Sequence, residues 1–531
     1  MTASATQVAE TESPAEPPMH RRVWTLVAAC FGLLLVLSSM VALNTALGDL
    51  AIETSATQTQ LTWIVDAYTL VMACLLLPAG ALGDRFGRRG ALLFGLVVFA
   101  IASAAPILAP NPAMLIISRG LAGAGAAFIM PATLSLITSV YSREERTKAV
   151  GLWAGVSGIG GVVGMLGSGV LLNFWSWPSI FWAFTISSVA LIPLTLLARP
   201  SKESEPHPLD TVGAVLIGAA VAIFVFGILE IPSRGFGDPV VYGCLGAGVV
   251  LAIGFAAVEL RRRHPLLDVR LFSNTTFATG AAAITMVFFA LYGFFFIYMQ
   301  FIQIALGYSA LGTAVALTPL APPLLFLAAT SFWYLPRMGL RLVVFLGLAI
   351  TGAGFICMRY LTLDSDYWGL AWPILILTTG LGLTIAPTTT AIMSSIPDDK
   401  QGVGSAVNDT TREVGAALGI ALAGSMLATQ YTRVLAPSLD GFPQPVREAA
   451  TRSLGEAIGV SGHLGPAGQG LVDAAMQAFT DATHFALTIL GAVTVISAVL
   501  IGLWAPGRDG RQLALVRRLT GGGYTGRHRA H

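Results

Sequence analysis

The chain has 531 residues, 55% of them hydrophobic and only 11% charged, which excludes a soluble globular protein, where about 25% would be charged. With a mean hydropathy of +0.75 it reads as a polytopic membrane protein. The formal net charge of +2 says little, because in a membrane protein the placement of charge matters more than its sum.

Residues 1–22 are polar and end in His20-Arg21-Arg22. The apolar run behind them is too long for a signal-peptide core and predicts a first span with its N-terminus held inside. Fourteen apolar segments are expected as spans, at 24–47, 61–82, 91–108, 113–140, 149–172, 178–198, 211–230, 240–260, 277–305, 310–334, 342–361, 368–393, 405–430 and 482–504. About twenty apolar residues suffice to cross a bilayer core. Cys30, Cys74, Cys244 and Cys357 each sit within an apolar run, without metal-ligand spacing, and are expected as buried free thiols.

Charge supports the count. With the N-terminus inside, the short inner loops hold Arg85, Arg88, Arg89, Arg143, Arg146, Lys148, Arg199, Lys202, Arg261, Arg262, Arg263, Arg270, Arg337, Arg341 and Lys400, and the short outer loops hold only Arg234. An odd miscount would flip this bias midway, and it does not flip. Both termini are therefore expected inside, the second in a basic tail at 505–531 that suits anionic lipid better than nucleic acid.

A repeat divides the chain. Pro131–Val140 ends the fourth segment and Pro387–Ile396 the twelfth, each followed by a charged loop and a Gly-rich segment. The expected organisation is a tail at 1–23, a six-helix bundle at 24–198, a linker at 199–275 carrying two inserted spans, a second six-helix bundle at 276–504, and the tail. The loop at 431–481 is read either as a small cap, with short helices at 446–458 and 470–479, or as a solvated spacer.

Gly80-Ala81-Leu82-Gly83-Asp84-Arg85-Phe86-Gly87-Arg88-Arg89 forms a tight charged turn after the second segment. Positive-inside topology explains its arginines but not their ordered string. The string resembles the signature between spans 2 and 3 of the major facilitator superfamily, and Leu335–Arg341 resembles a worn second copy. Arg119 and Gly123 in segment 4 resemble that superfamily's R-x-x-x-G motif, with Ala122 at the usual Gln; the resemblance implies a part for Arg119 in proton coupling, and an arginine snorkelling to the outer surface is the other reading. Gly160 and Gly164 lie in a Gly-rich run of segment 5 that resembles the antiporter motif G-P-x-x-G-G, with Met165 at the Pro and Ser168 at a Gly. The whole chain resembles the fourteen-span drug:proton antiporters, but Ser39 and Leu324 stand where acidic residues occur in some members. The resemblance implies an all-α major facilitator fold.

Of the acidic positions of that family, three remain in this chain: Asp66 in segment 2 and Asp409 and Glu413 in segment 13. A carboxyl inside a membrane span costs roughly 2.5–3.5 kcal/mol on insertion scales and is a functional candidate by default. The resemblance implies proton coupling at all three. For Asp409 and Glu413, four apart on one helix face near the inner end of their span, an ion pair with Arg412 or the charged loops is the other reading. Asp66 and Arg119 lie at similar depth on neighbouring spans and are expected to approach in one conformation. Asn44, Trp63, Tyr68, Phe288, Phe289, Tyr292, Phe295, Gln300 and Gln303 are expected to line a central cavity, whose aromatic faces suit lipophilic or cationic molecules. Gly80, Asp84, Arg85, Gly87, Arg88 and Arg89, with Gly160 and Gly164, are expected to govern conformational change.

No Gly-Lys dipeptide occurs, so no P-loop, and neither G-x-S-x-G nor H-E-x-x-H is present; the chain is not expected to be an enzyme. The expectation is a monomeric plasma-membrane exporter of lipophilic or cationic small molecules. It would need no cofactor beyond the proton gradient and no partner beyond substrate, protons and lipid. Export of an endogenous lipid or metabolite, or a receptor or scaffold without transport, are the rivals.

Overall fold

The computed structural model describes residues 19–46, 50, 53–54, 58–108, 111–198, 210–235, 237–263, 265–462, 464 and 466–512. Arg199, Lys202, Leu47, His264 and the tail arginines from Arg517 onward lie outside these, as does the side chain of Asn44.

Among the described residues, fourteen helices are long and apolar enough to span a membrane. Numbered in chain order, spans 1–6 are Arg21–Ala42, Trp63–Phe86, Arg88–Leu108, Pro112–Val140, Glu145–Phe174 and Pro178–Leu196. Spans 7 and 8 are Thr211–Leu229 and Pro239–Glu259. Spans 9–14 are Thr275–Ala305, Leu311–Ala329, Ser331–Tyr360, Tyr367–Ser394, Gln401–Leu439 and Gly468–Trp504. The described residues contain no strand. Helix starts follow local chemistry: Asn111, Asp210 and Asp366 each accept a backbone N–H from the first turn ahead of spans 4, 7 and 12.

Span 10 is not one helix. It runs as an α-helix Ala310–Ala316, a 3₁₀ turn Thr318–Leu320 and an α-helix Ala321–Ala329. Pro319, Pro322 and Pro323 lack the N–H groups a continuous helix needs. Span 9 ends in a single π turn at Phe301–Ala305.

The spacer reading of the 431–481 loop gives way to an ordered cap. Span 14's helix begins at Pro466 and has 39 residues. At 1.5 Å per residue it is about 58 Å long, nearly twice a bilayer core of about 30 Å. Span 13's helix is similarly long, and helices Gln444–Arg452 and Leu454–Ser461 fold against the two projecting ends. Ser453 caps the second of these helices, and the Tyr431 hydroxyl donates to the Ala450 carbonyl at 3.0 Å. Leu435, Leu439, Leu454, Ala457, Leu471 and Phe479 form the buried interior. The helix expected at 446–458 is thus two helices, and the one expected at 470–479 is absorbed into span 14.

Spans 7 and 8 lie against the outside of the bundle, and only 17% of span 8's most apolar stretch is buried. Their inward face covers the seam where span 2 meets span 13. Ala73 packs with Val221 and Val225, while Ala417 and Ala421 pack with Ile228, Ile231 and Val241.

Candidate functional site

The turn Gly80–Arg89 reaches across to the other half of the molecule. Asp84 accepts hydrogen bonds from the backbone N–H groups of Gly402 (2.8 Å) and Val403 (2.9 Å) at the start of span 13. Those groups have no partner within their own helix, so Asp84 serves as an N-cap supplied by a different helix, favoured by the dipole as well. Arg88 holds Asp84 at 2.7 Å and donates to the Asp398 carbonyl at 3.1 Å. Gly80 allows the approach: a Cβ there would lie 2.6 Å from the Gly402 carbonyl oxygen. Gly87 makes the turn at φ 115°. Arg89 caps the far end of span 6 through the Leu196 and Ala198 carbonyls. Arg85 lies over the Phe86 ring. Arg146–Asp398 at 3.0 Å and Lys148 over the Phe332 ring add two further cross-half contacts on this basic face.

The worn copy in the second half keeps half of this design. Gly339 (φ 75°) matches Gly87, and Arg341 caps the end of span 14 through Ala505 as Arg89 caps span 6. Pro336 and Leu340 stand at the positions of Asp84 and Arg88, so the ionic clasp exists in one half only.

Arg119 is buried and turns inward to its own half. It donates to Ser39 Oγ (2.9 Å), the Ser39 carbonyl (3.2 Å) and the Ile64 carbonyl (3.1 Å), and lies 4.2 Å from the Tyr68 ring centroid. It makes no ion pair among the described residues. Asp66 and Arg119 form no ion pair in this structure, where Ser39 and the backbone of span 2 take the guanidinium. Asp66 is half-buried one turn from Trp63, which stacks on Phe226 of span 7 (6.2 Å between ring centroids).

Asp409 and Glu413 are deeper than the sequence suggests. The helix of span 13 starts at Gln401, so Glu413 lies about 18 Å along it, near mid-membrane. Asp409 and Glu413 are 0% and 5% exposed, and Arg412 between them 1%. Asp409 accepts from Asn408 at 3.2 Å and lies 3.9 Å from Arg412, longer than a hydrogen bond. Arg412 instead donates to Thr389 Oγ1 at 3.1 Å, with its guanidinium 4.7 Å from the ring centroid of Trp153 and 4.9 Å from that of Phe288. Asp409 Oδ2, Glu413 Oε2 and Arg412 Nε have no hydrogen-bond partner among the described residues. Each such buried group costs about 1–3 kcal/mol, and more when charged, so stability alone does not explain the cluster.

Three of the residues expected to line a central cavity lie in the packed interior. Tyr68, Phe288 and Phe289 are buried. The Tyr68 hydroxyl donates to the Val36 carbonyl, and Tyr292 reaches across to Met40 Sδ at 3.4 Å. Tyr292 stacks on Phe288 and meets the edge of Phe295, and both Tyr68 and Tyr292 lie within electrostatic reach of Glu413. Trp63 faces span 7, Gln300 is satisfied by its own helix through the Phe296 carbonyl, and Gln303 lies in the π turn at the helix end. Gly160 and Gly164 pack span 5 onto span 1, where a Cβ at either would lie 2.6 Å from Leu37 Cβ or the Ser38 carbonyl oxygen. A cavity of about 500 Å³ between spans 1, 5 and 6, lined by Phe31, Leu34, Ser38, Gly164 and Phe184, belongs to the flank of the first half rather than to the seam.

Trp153 and Thr389 were not expected. Trp153 lies in a span read for its glycines, although a lone indole there, needing an N–H acceptor (Thr133 Oγ1, 3.1 Å), was a usable signal.

The chain matches the family model described as "Major Facilitator Superfamily" over residues 29–420. It is 30% identical to the methyl viologen resistance protein SmvA of Salmonella typhimurium (strain 14028s), over 92% of this chain and 98% of that protein. It is 29% identical to the multidrug resistance protein Stp of Mycobacterium tuberculosis (80% and 79%) and 28% to the multidrug efflux pump LfrA of Mycolicibacterium smegmatis (92% and 98%). The fold is shared with the human organic anion transporter MFSD10 (TETRAN), with a TM-score of 0.58 at 12% identity, covering 91% of this chain and 100% of that one. The chain is a multi-pass membrane transporter belonging to the major facilitator superfamily.

Proposed function

We propose that this transporter exports lipophilic or cationic drugs by proton antiport, alternating between states open to either side. One observation carries the reading: a buried cluster of two carboxyls and one guanidinium at mid-membrane, incompletely hydrogen-bonded and in contact with both halves. Its charges balance when one carboxyl carries a proton, so proton arrival and departure change the energy of the closed state. A proton can drive export only if its affinity differs between the two states. The names and identities of the relatives support small drugs as substrates. We place the basic face in the cytoplasm, with both termini there, and take the working unit as a monomer.

The test is gradient-driven uptake of tetraphenylphosphonium into everted membrane vesicles. Wild type is expected to accumulate it and lose it on proton-gradient collapse. Asp409→Asn and Glu413→Gln are each expected to cut gradient-driven uptake at least about tenfold while sparing substrate exchange at equilibrium, and Asp66→Asn to have the smaller effect. Unchanged coupling with all three acids neutralised would reject proton antiport at these positions. Lipid accumulation in a deletion strain whose drug susceptibility is unchanged would favour the lipid-export rival.

A further inference from the structure

We propose that Arg412 is a tethered stand-in for substrate: its guanidinium occupies an aromatic box, one wall from each half, that an organic cation takes over during transport. This rests on the export reading above and assigns that site an internal competitor. The walls are Trp153 of span 5 and Phe288 of span 9, at 4.7 and 4.9 Å from the guanidinium carbon. Both are held in place, Trp153 by Thr133 and Phe288 by the Tyr292 stack.

The cation's choice of neighbours is the telling feature. Asp409 and Glu413 lie on the same turn of the same helix, yet Arg412 keeps its charge on the rings, 3.9 Å from Asp409, and leaves Asp409 Oδ2 and Glu413 Oε2 without hydrogen bonds. A rotation of the arginine's long side chain exchanges the rings for those carboxyls. The vacated box then accepts an external cation, and the swung guanidinium neutralises carboxylates that have released a proton. Because Trp153 and Arg412 belong to opposite halves, the exchange also removes a mid-membrane tie between them.

The experiment measures the Kd of radiolabelled tetraphenylphosphonium on purified protein in lipid nanodiscs, for wild type, Arg412→Gln, Trp153→Leu and the double variant. Arg412→Gln is expected to bind about tenfold more tightly, the scale of one desolvated cation–ring contact. Trp153→Leu is expected to bind more weakly, and Arg412→Gln to change little in the Trp153→Leu background. Weaker or unchanged binding by Arg412→Gln overturns the proposal. So does tightening that persists without Trp153, since removal of a positive charge would then explain it. A second arm does not depend on export: methylguanidinium should raise the melting temperature of Arg412→Ala but not of wild type, and no rise in Arg412→Ala overturns the box. Wild-type vesicles that extrude no lipophilic cation would reject the export reading and leave this second arm to decide the box.

Discussion

Arg119 and Ser39 show how much one side chain changes inside a membrane. A buried guanidinium with only neutral partners is expensive, and Ser39 Oγ already lies 2.9 Å from Nη1. A carboxylate in its place would add the missing counter-charge. Ser39→Asp is therefore expected to raise the melting temperature of the detergent-purified protein; a fall would mean that spans 1 and 4 lack room for the larger group. Asp84 argues the other way, from what it already holds. It receives two backbone N–H groups and Arg88 while nearly buried, whereas Asp398, paired with Arg146, is 60% exposed. Losing a cap that also carries charge costs about 1–2 kcal/mol, whereas an exposed ion pair is worth about 0–1 kcal/mol. Asp84→Ala should thus shift the balance away from the state closed at the basic face by about tenfold, and Arg146→Ala by much less. Double electron–electron resonance distances between spin labels on the two halves at that face would report both; equal shifts would refute the ranking.

At the scale of the element, most of the fold was legible because its signals are local. Fourteen spans follow from apolar run length and charge placement, and fourteen helices long and apolar enough to span lie at those places among the described residues, spans 13 and 14 running well past the expected bounds. Gly87 and Arg89 were legible for the same reason, since a turn and a helix cap need only neighbouring residues. The misreadings concern what crosses between elements. Asp66 and Arg119 share a depth, but depth does not fix the direction of a side chain on its helix, and in this structure Arg119 turns to Ser39 while Trp63 stacks on Phe226 of the inserted pair. The projecting ends of spans 13 and 14 were hidden because helix propensity continues past the apolar stretch, and only packing against Leu454 and Ala457 shows that it stays ordered. Span 10 carries its three prolines openly in the sequence, but its packing against span 5, where Gly158 admits Leu324, is not written there.

For the whole molecule, the question is how an inserted pair of helices can touch both halves of a transporter whose halves must move. Span 7 grips span 2 from Trp63 to Cys74: through the Trp63–Phe226 stack, through Ala73 against Val221 and Val225, and at Gly218, where a Cβ would lie 3.0 Å from the Cys74 carbonyl oxygen. The pair's grip on span 13 is a patch built on the small side chains of Ala417 and Ala421. Dispersion and close packing, rather than a hydrophobic driving force, hold helices together in lipid, so the more extensive contact should persist. The pair is therefore expected to travel with the first half and to slide on span 13. In a background without the four native cysteines, Ala73→Cys with Val225→Cys should cross-link in both conformations. Ile228→Cys with Ala417→Cys should cross-link when the basic face is closed and lose that reactivity when Asp84→Ala favours its opening. The reverse pattern would assign the inserted pair to the second half, and span 2 would then have to slide past the Trp63–Phe226 stack in every cycle.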